Sequence, residues 1–386
     1  MQFEIHVLQS FPPANLNRDE NGMPKSTVFG GYPRARISSQ CQKRSVRLYY
    51  QQYSDLDKNN FASRSRSWLD ELKPLLTAAN IAEDQAEQAA KLALKYLGAE
   101  EDPKKKGKTK TILFLGRTEI ETIADILIKN WEAIVPELGG DKAELPKNIS
   151  KIMEKSLATT GKPGDVALFG RMMASLPSVN VDAAVQMAHA ISVNKLQQEF
   201  DFFTAVDDLS NTHDLDSGDD AGADHLGETG YNSSTYYRFT VLDTEQLKQN
   251  LGSQEHLSEI TQAFAEAFIR AIPTGHQNGF AAHSLPAAVM IVVREGQPVS
   301  LVDAFEEPVS PKNGKGLLAN AVSQLDTYWD ELTRMYRSKA VKFAGIVTRS
   351  QLSVSLKHLA SLKKESVEQL LEEAIVATFS GDNGGK

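Results

Sequence analysis

Between Asn17 and Arg47 the chain reads NRDENGMPKSTVFGGYPRARISSQCQKRSVR. Seven side chains in this stretch are cationic: Arg18, Lys25, Arg34, Arg36, Lys43, Arg44 and Arg47. Against them residues 1–50 set only Glu4, Asp19 and Glu20, a local charge of +4, and residues 33–50 hold no acid. A helix capped by Ser38 or Ser39 puts Gln40, Lys43, Arg44 and Arg47 at i, i+3, i+4 and i+7, on one face. Arg34 and Arg36 alternate in extended backbone just ahead of it. Free N–H groups of the first turn add positive potential at the same end. Together with the Ser38 hydroxyl these groups make an elongated patch. It suits a run of phosphates better than one small anion, and such contacts hold a polyanion without reading its bases. Taken by itself, a basic helix face is more often plain solvated surface.

A second concentration of charge has the opposite sign. Residues 201–228 carry nine acids and no Lys or Arg: Asp201, Asp207, Asp208, Asp214, Asp216, Asp219, Asp220, Asp224 and Glu228. One reading is a metal-dependent ribonuclease using the acids of 207–225 with His225. The spacing lacks the glycine and the closing bidentate Glu of an EF-hand loop, so no metal is expected there. The other reading is an acidic surface that docks on basic parts of a neighbouring copy. No Walker loop, no dinucleotide-binding glycine fingerprint after a strand and no Gly-x-Ser-x-Gly elbow occur, so no cofactor is expected. The single cysteine, Cys41, excludes an internal disulfide and a multi-cysteine zinc site, and it reads as a small hydrophobe.

The elements that must position these groups follow from periodicity. Phe3, Ile5 and Val7 alternate with Glu4 and His6, a half-buried strand. A turn-rich loop spans Phe11 to Gly31, then the basic helix runs to about Tyr53. Residues 54–180 read as a helical insertion, with helices expected at 65–79, 83–97, 118–135, 142–158 and 164–174. A basic loop, EEDPKKKGKTK, interrupts it. Residues 181–195 read as a further helix, with His189 as a hydrogen-bonded core histidine. Strands at 200–206 and 235–242 make a long-tipped hairpin. A helix at 255–271 and a buried strand at 287–294 follow. The remainder reads as helical, with 319–337 and 364–378 the clearest segments. Outside the insertion the order is strand, helix, strand, strand, helix, strand. That is the α+β, ferredoxin-like βαββαβ pattern shared with RNA-recognition modules.

The whole chain has 386 residues, a net charge of −8, 41% hydrophobic and 24% charged residues, which fits an ordinary globular protein of two or three domains. Its longest apolar stretches, such as Ala287–Val293, fall far short of the ~20 residues that span a bilayer. The first residues lack a basic segment followed by an apolar one, so a cytoplasmic, membrane-free location is expected.

With the elements placed, the motifs resemble a known family: the CasC-type, crRNA-binding backbone subunit of the type I-E CRISPR Cascade complex. The matching residues are NRD at Asn17–Asp19, Lys25, FGG at Phe29–Gly31, RxRISSQ at Arg34–Gln40 and KRxxR at Lys43–Arg47. They continue with GRM at Gly170–Met172, AxxxAHAIS at Ala184–Ser192, FTAVDDL at Phe203–Leu209, HLG at His225–Gly227 and YWD at Tyr328–Asp330. The resemblance implies a hand-shaped, non-catalytic subunit. Its RRM-like palm would comprise 1–53 and 181–345, its helical fingers 54–180, its thumb hairpin 200–242, and 346–386 would be a C-terminal extension. It implies that copies polymerise along a CRISPR guide RNA beside other Cascade subunits. Arg18, Lys25, Ser38, Gln40, Lys43, Arg44 and Arg47 would hold the guide backbone, beside Arg34 and Arg36 of the basic patch. Met172, Phe203, Thr204 and Leu226 would wedge against bases and displace one nucleotide per subunit, so that target DNA pairs with the guide. Lys104, Lys105, Lys106, Lys108 and Lys110 would contact target DNA. The chain departs from the family pattern at Asp224, at the long acidic loop 211–224 and at Tyr32-Pro33, which stands where a basic pair is usual.

Overall fold

The computed structural model of the chain describes residues 1–140, 143–205, 225–312, 314–336 and 339–380, with the backbone alone at Thr204, Ala205, His225 and Leu226. The elements begin with β1 (Gln2–Ala14), β2 (Ser26–Phe29), β3 (Tyr32–Ile37) and α1 (Ser39–Tyr53). Next come β4 (Ala62–Ser65), α2 (Trp68–Ala78), α3 (Glu83–Tyr96), β5 (Leu113–Gly116), α4 (Arg117–Lys129), α5 (Trp131–Ile134), α6 (Lys147–Thr159) and α7 (Gly164–Phe169). Then follow β6 (Val185–Met187), β7 (Ala190–Ser192), β8 (Glu199–Ala205), β9 (His225–Asp243), α8 (Thr244–Leu251), α9 (Leu257–Arg270) and α10 (Gln277–Phe280). The last are β10 (Ala288–Arg294), α11 (Leu317–Tyr336), β11 (Val341–Thr348), α12 (Ser350–Ser353) and α13 (Val367–Phe379). Two compact units result: Met1–Tyr49 with Met187–Val241 and Phe264–Lys386, and Tyr50–Gln186 with Leu242–Ala263.

The first unit is built on one large sheet in the order β11-β10-β1-β9-β7-β3-β2, with β6 and β8 also paired to β9. Its middle, β10-β1-β9-β7, has the strand order of the expected α+β, RRM-type palm. β1 and β10 run antiparallel with Phe3 opposite Val293, Ile5 opposite Ile291 and Val7 opposite Val289. The alternation of β1 suggested one wet face, but Glu4 and His6 are buried as well. They are tolerated because each finds a partner: Arg294 Nη2 donates to Glu4 at 3.0 Å, and His6 Nδ1 bonds the Tyr237 hydroxyl at 2.8 Å. The core includes Leu8, Tyr237, Met290, Leu301, Phe305, Val322 and Leu325.

Three sequence expectations are corrected here. Residues 181–195 are not a helix. Ala188 N–H donates to Phe239 O, Val193 N–H to Thr235 O and Asp243 N–H to Ala184 O, so this segment pairs with β9 instead of with itself. β-branched Val181, Val185, Ile191 and Val193 favour that outcome. The stretch 11–31 is not one loop either. β1 runs on to Ala14, and Gly30-Gly31, at φ +58° and +79°, turn the β2–β3 hairpin. A Cβ on Gly30 would lie 1.9 Å from the Glu306 carbonyl oxygen, so only glycine fits there. Finally, the C-terminal part is not all helical, because β11 pairs with β10 along its length.

The second unit is mainly helical with a small β4–β5 sheet. Leu72, Leu76, Ala89, Ala93, Ile123, Leu127, Ile149, Met153 and Leu157 interdigitate in one core. The observed helices α2, α3, α4 and α6 fall on the expected segments, since each carries its apolar residues at three- and four-residue spacing.

Candidate nucleic-acid interface

The basic helix begins where its residue types allow. Ser38 accepts the Cys41 N–H through Oγ and the Gln42 N–H through its carbonyl, a serine N-cap. Inside the helix Val46 and Tyr50 are buried. Gln42 fixes the rotation of α1: its amide donates to Ala188 O at 2.9 Å and its Oε1 accepts from Arg238 Nε. Arg238 is itself buried, donates also to Gln9 and to Phe268 O, and burial pulls its guanidinium down to about 10. With that face pinned, Gln40 and Arg44 are exposed and Lys43 and Arg47 half-buried on the other.

The loop ahead of β2 stands beside the helix. Asp19 organises it by accepting the N–H groups of Asn21 and Met23, both at 2.9 Å. Asn15 donates to Gly22 O and Gly230 O, which ties the loop to β9. Gly230 permits that contact, because a Cβ there would lie 2.4 Å from Met23 Sδ. Asn17 Oδ1 accepts the Ser38 N–H, locking loop to helix start. Between them opens a cleft of about 560 Å³ whose walls include Asn17, Arg18, Asp19, Glu20, Cys41 and Arg44. Both arginines are exposed, while the Asp19 carboxylate is engaged by the loop's own amides. Burial raises the pKa of the Cys41 thiol, so it stands in the cleft wall as a neutral group.

Two of the nine residues assigned to the basic patch and its hydroxyl are not on the surface. Arg34 is fully buried: Nη1 donates to Ser192 O and Val193 O, and Nη2 to Phe305 O and Glu306 O. The reading of extended backbone is correct, but the Arg34 guanidinium is drawn in by these four carbonyls, while Arg36, on the same side of the strand, stays half-exposed. Ser38 is 6% exposed and its hydroxyl is spent on the cap. The first-turn amides are less available than expected, since those of Ser38, Ser39 and Cys41 are taken by Asn17, His189 and Ser38. His189 itself is exposed, in the turn between β6 and β7, and not in a helix core. Arg18, Lys25, Arg36, Gln40, Lys43, Arg44 and Arg47 remain exposed or half-exposed around the loop and helix.

The apolar candidates lie elsewhere. β8 and β9 form a hairpin with Phe203 opposite Gly227 and Thr204 opposite Leu226. Phe203 is exposed, and its ring fills the space a Cβ on Gly227 would need, 2.2 Å from Cζ. The side chains of Thr204 and Leu226 lie outside the described residues, as do the acids Asp207 to Asp224 of the ribonuclease reading. Phe200 and Phe202 are exposed too, alternating with Phe203, and the motif-based reading missed them.

In the second unit Met172 is 83% exposed at the end of a rigid turn. Gly170 has φ +74°, with a would-be Cβ 2.8 Å from Val181 O. Arg171 points inward and donates to Glu119, Phe114 O and Val179 O. Lys162 Nζ lies 3.7 Å from the same carboxylate, and burial lowers its pKa in spite of Glu119. Lys104, Lys105, Lys106, Lys108 and Lys110 are all exposed on a turn that Asp102 and Glu101 organise, with Lys110 paired to Glu100.

An antiparallel sheet, a helix with an exposed cationic face and exposed phenylalanines on β8 define an RRM-type α+β protein. The chain belongs to the CT1975-like protein family, whose model matches residues 3–373. Its fold is similar to a chain of a "CRISPR RNA-guided surveillance complex, pre-nicking", with a TM-score of 0.83, 29% identity, and coverage of 98% of this chain and 100% of that one. It is similar also to a chain of a "CRISPR RNA-guided surveillance complex", with a TM-score of 0.73, 25% identity and the same coverage. The kinship suggested by the sequence motifs is of this kind. No curated protein matches the chain. Among the described residues no helix is long and apolar enough to cross a membrane.

Proposed function

We propose that the protein is a non-catalytic RNA-binding scaffold that polymerises along a CRISPR guide RNA inside a Cascade-type surveillance complex in the cytoplasm. The palm, 1–53 with 181–345, holds the guide backbone through Arg18, Lys25, Arg36, Gln40, Lys43, Arg44 and Arg47. Arg34 and Ser38 serve it from within, by fixing the β3 strand and the helix start. Met172 of the fingers, 54–180, and Phe203, Thr204 and Leu226 of the thumb, 200–242, wedge against bases and displace one nucleotide per copy. Aromatic and thioether side chains suit that task because every base offers a π-face. The exposed Lys104, Lys105, Lys106, Lys108 and Lys110 help to hold target DNA. Residues 346–386 form a C-terminal extension. Partners are further copies of the chain and other subunits of the complex.

The observation that carries this reading is the cleft between the Asn17–Lys25 loop and α1, an open groove with Arg18 and Arg44 in its walls. Its frame is held by Asn15, Asn17 and Ser38 and by the Asp19 carboxylate on the loop's own amides, and Arg18 and Arg44 stand exposed in its walls. The test is purification of the full chain from cells that transcribe a guide, followed by sizing of any bound RNA. Arg18→Ala with Arg44→Ala should reduce the RNA retained and flatten the salt dependence of binding by about 1.4 in log–log slope, two single-strand phosphate contacts. Equal retention and slope would refute the reading. Magnesium-dependent cleavage of RNA, lost in Asp207→Ala, would show an enzyme instead.

A further inference from the structure

His189 occupies a place that neither its motif nor its expected helix suggested. It sits in the turn between β6 and β7, exposed, and its backbone is fixed on both sides. Ala188 N–H donates to Phe239 O, and Ala188 O accepts from Gln42 of α1. The ring reaches across to the helix start, where Nδ1 accepts the Ser39 N–H at 3.0 Å. Arg36 Nη1 is 3.5 Å from the same nitrogen, and Arg36 Nε donates to Ser26 O.

This arrangement fixes the tautomer. A backbone N–H can only donate, so Nδ1 carries no proton, and the neutral ring bears its hydrogen on Nε2. Partial burial together with the charges of Arg36 and Lys25 holds the imidazole below its ordinary pKa. At neutral pH the ridge therefore contains one uncharged donor among its cations. Among the described residues Nε2 has no hydrogen-bond partner.

We propose that His189 is a guide-contacting residue of the ridge, donating one uncharged hydrogen bond from Nε2–H to a phosphate oxygen of the bound strand while Nδ1 holds the start of α1. The inference rests on the function proposed above. It adds to it a contact of a different type: a donor that selects position without adding charge, set beside cations that attract the strand from a distance. A neutral donor to phosphate releases no counterion, so its removal changes affinity and not salt slope.

The two ring nitrogens can be replaced separately. His189→Asn keeps an acceptor near the Nδ1 position and removes the Nε2 donor. His189→Gln places an amide donor near the Nε2 position. Binding of the full-length chain to a fluorescein-labelled single-stranded RNA of mixed sequence is measured across a salt series. His189→Asn should bind about fivefold more weakly than wild type, the size of one neutral hydrogen bond, with an unchanged slope. His189→Gln should recover most of that loss. The same RNA with 2′-deoxy sugars should show the same dependence on His189. Wild-type affinity in His189→Asn, a Gln variant no better than the Asn one, a slope reduced by about 0.7 as for a lost cation, or a dependence that vanishes on deoxy sugars would each overturn the proposal. Arg18→Ala with Arg44→Ala is run beside them. If that variant also binds like wild type, the ridge reading itself has failed, not the histidine alone.

Discussion

The palm ridge and the Met172 turn solve opposite problems with opposite materials. At the ridge the exposed groups are cations, and what positions them is the neutral set Asn15, Asn17, Ser38, Gln42 and His189 together with charges the fold has already satisfied, Asp19, Arg34 and Arg238. At the turn the exposed group is an apolar thioether, and the charges are inside, with Glu119, Arg171 and Lys162 all buried. A surface that must release its ligand's counterions keeps its cations wet. A surface that must push an apolar group at a base cannot let that group collapse onto its own unit. It holds the neighbouring residue by directional bonds instead. Stability and binding should therefore separate cleanly between the two regions.

The largest effect expected is on the turn. Arg171→Ala leaves Glu119 buried beside a lysine whose own charge is disfavoured, and should cost roughly 3–5 kcal/mol in chemical denaturation of the unit. Arg171→Met with Glu119→Leu and Lys162→Met should regain much of that loss, since apolar replacement of a whole buried ion cluster is often close to neutral. If both variants were as stable as wild type, the inner charges would not be what holds the turn. The ridge gives the contrary pattern. Arg18→Ala with Arg44→Ala removes two exposed side chains and should leave stability within about 0.5 kcal/mol per site. RNA binding should fall at least about tenfold, since tenfold is about 1.4 kcal/mol, slightly less than the net worth of one charge-assisted hydrogen bond, and two cations are lost. A large loss of stability there would erase the distinction between the two regions.

Acid separates them further. His6, buried at the centre of the palm sheet, is held below the usual imidazole pKa of 6.5, chiefly by desolvation. Below pH 6.5 the unfolded chain binds a proton that the folded palm resists, so palm stability falls as the pH drops through that window. The slope contributed is at most about 1.4 kcal/mol per pH unit. Lys162 acts at the other end: its lowered folded pKa makes the second unit gain stability as pH rises towards 10.5. Hydrogen exchange of β1 amides against those of α4, followed over pH, reads the two separately. Loss of the acid slope in His6→Gln is the expected confirmation, and an unchanged slope would assign it to other groups.

The two regions also differ in how far the chain announced them. The basic helix was legible because its cap, its 15-residue length without Gly or Pro and its cation spacing are all local. Arg34 was misplaced because its carbonyl partners stand 158 to 272 positions away, and only the folded sheet brings them to it. His189 was hidden by a run, AAVQMAHAIS, whose alanines and apolar spacing imitate a helix, while pairing with β9 decides otherwise. Its own hint was the string of β-branched residues on either side. Met172 was found by motif, but the motif gave no role to Arg171 beside it, because its partner Glu119 is 52 positions earlier. In each case a group was readable when its neighbours in space were its neighbours in sequence.

The smallest expected change is the most specific. Met172→Ala removes a side chain that is 83% exposed, so stability should stay within about 0.5 kcal/mol. Total RNA affinity should fall no more than about threefold, because base contacts of this kind add to a binding energy dominated by phosphates. What should change is local. If Met172 wedges a nucleotide out of the stack, chemical probing of the bound guide shows one reactive position per copy, and in Met172→Ala that reactivity drops. Arg171→Met with Glu119→Leu and Lys162→Met supplies the decisive control: Met172 is still present, but the bonds that aim it are gone. Reactivity lost in that variant, at restored stability, would mean that the buried charges serve direction and not strength. Reactivity kept would mean that any exposed methionine on this turn suffices, and the contrast between the two regions would reduce to their surface chemistry.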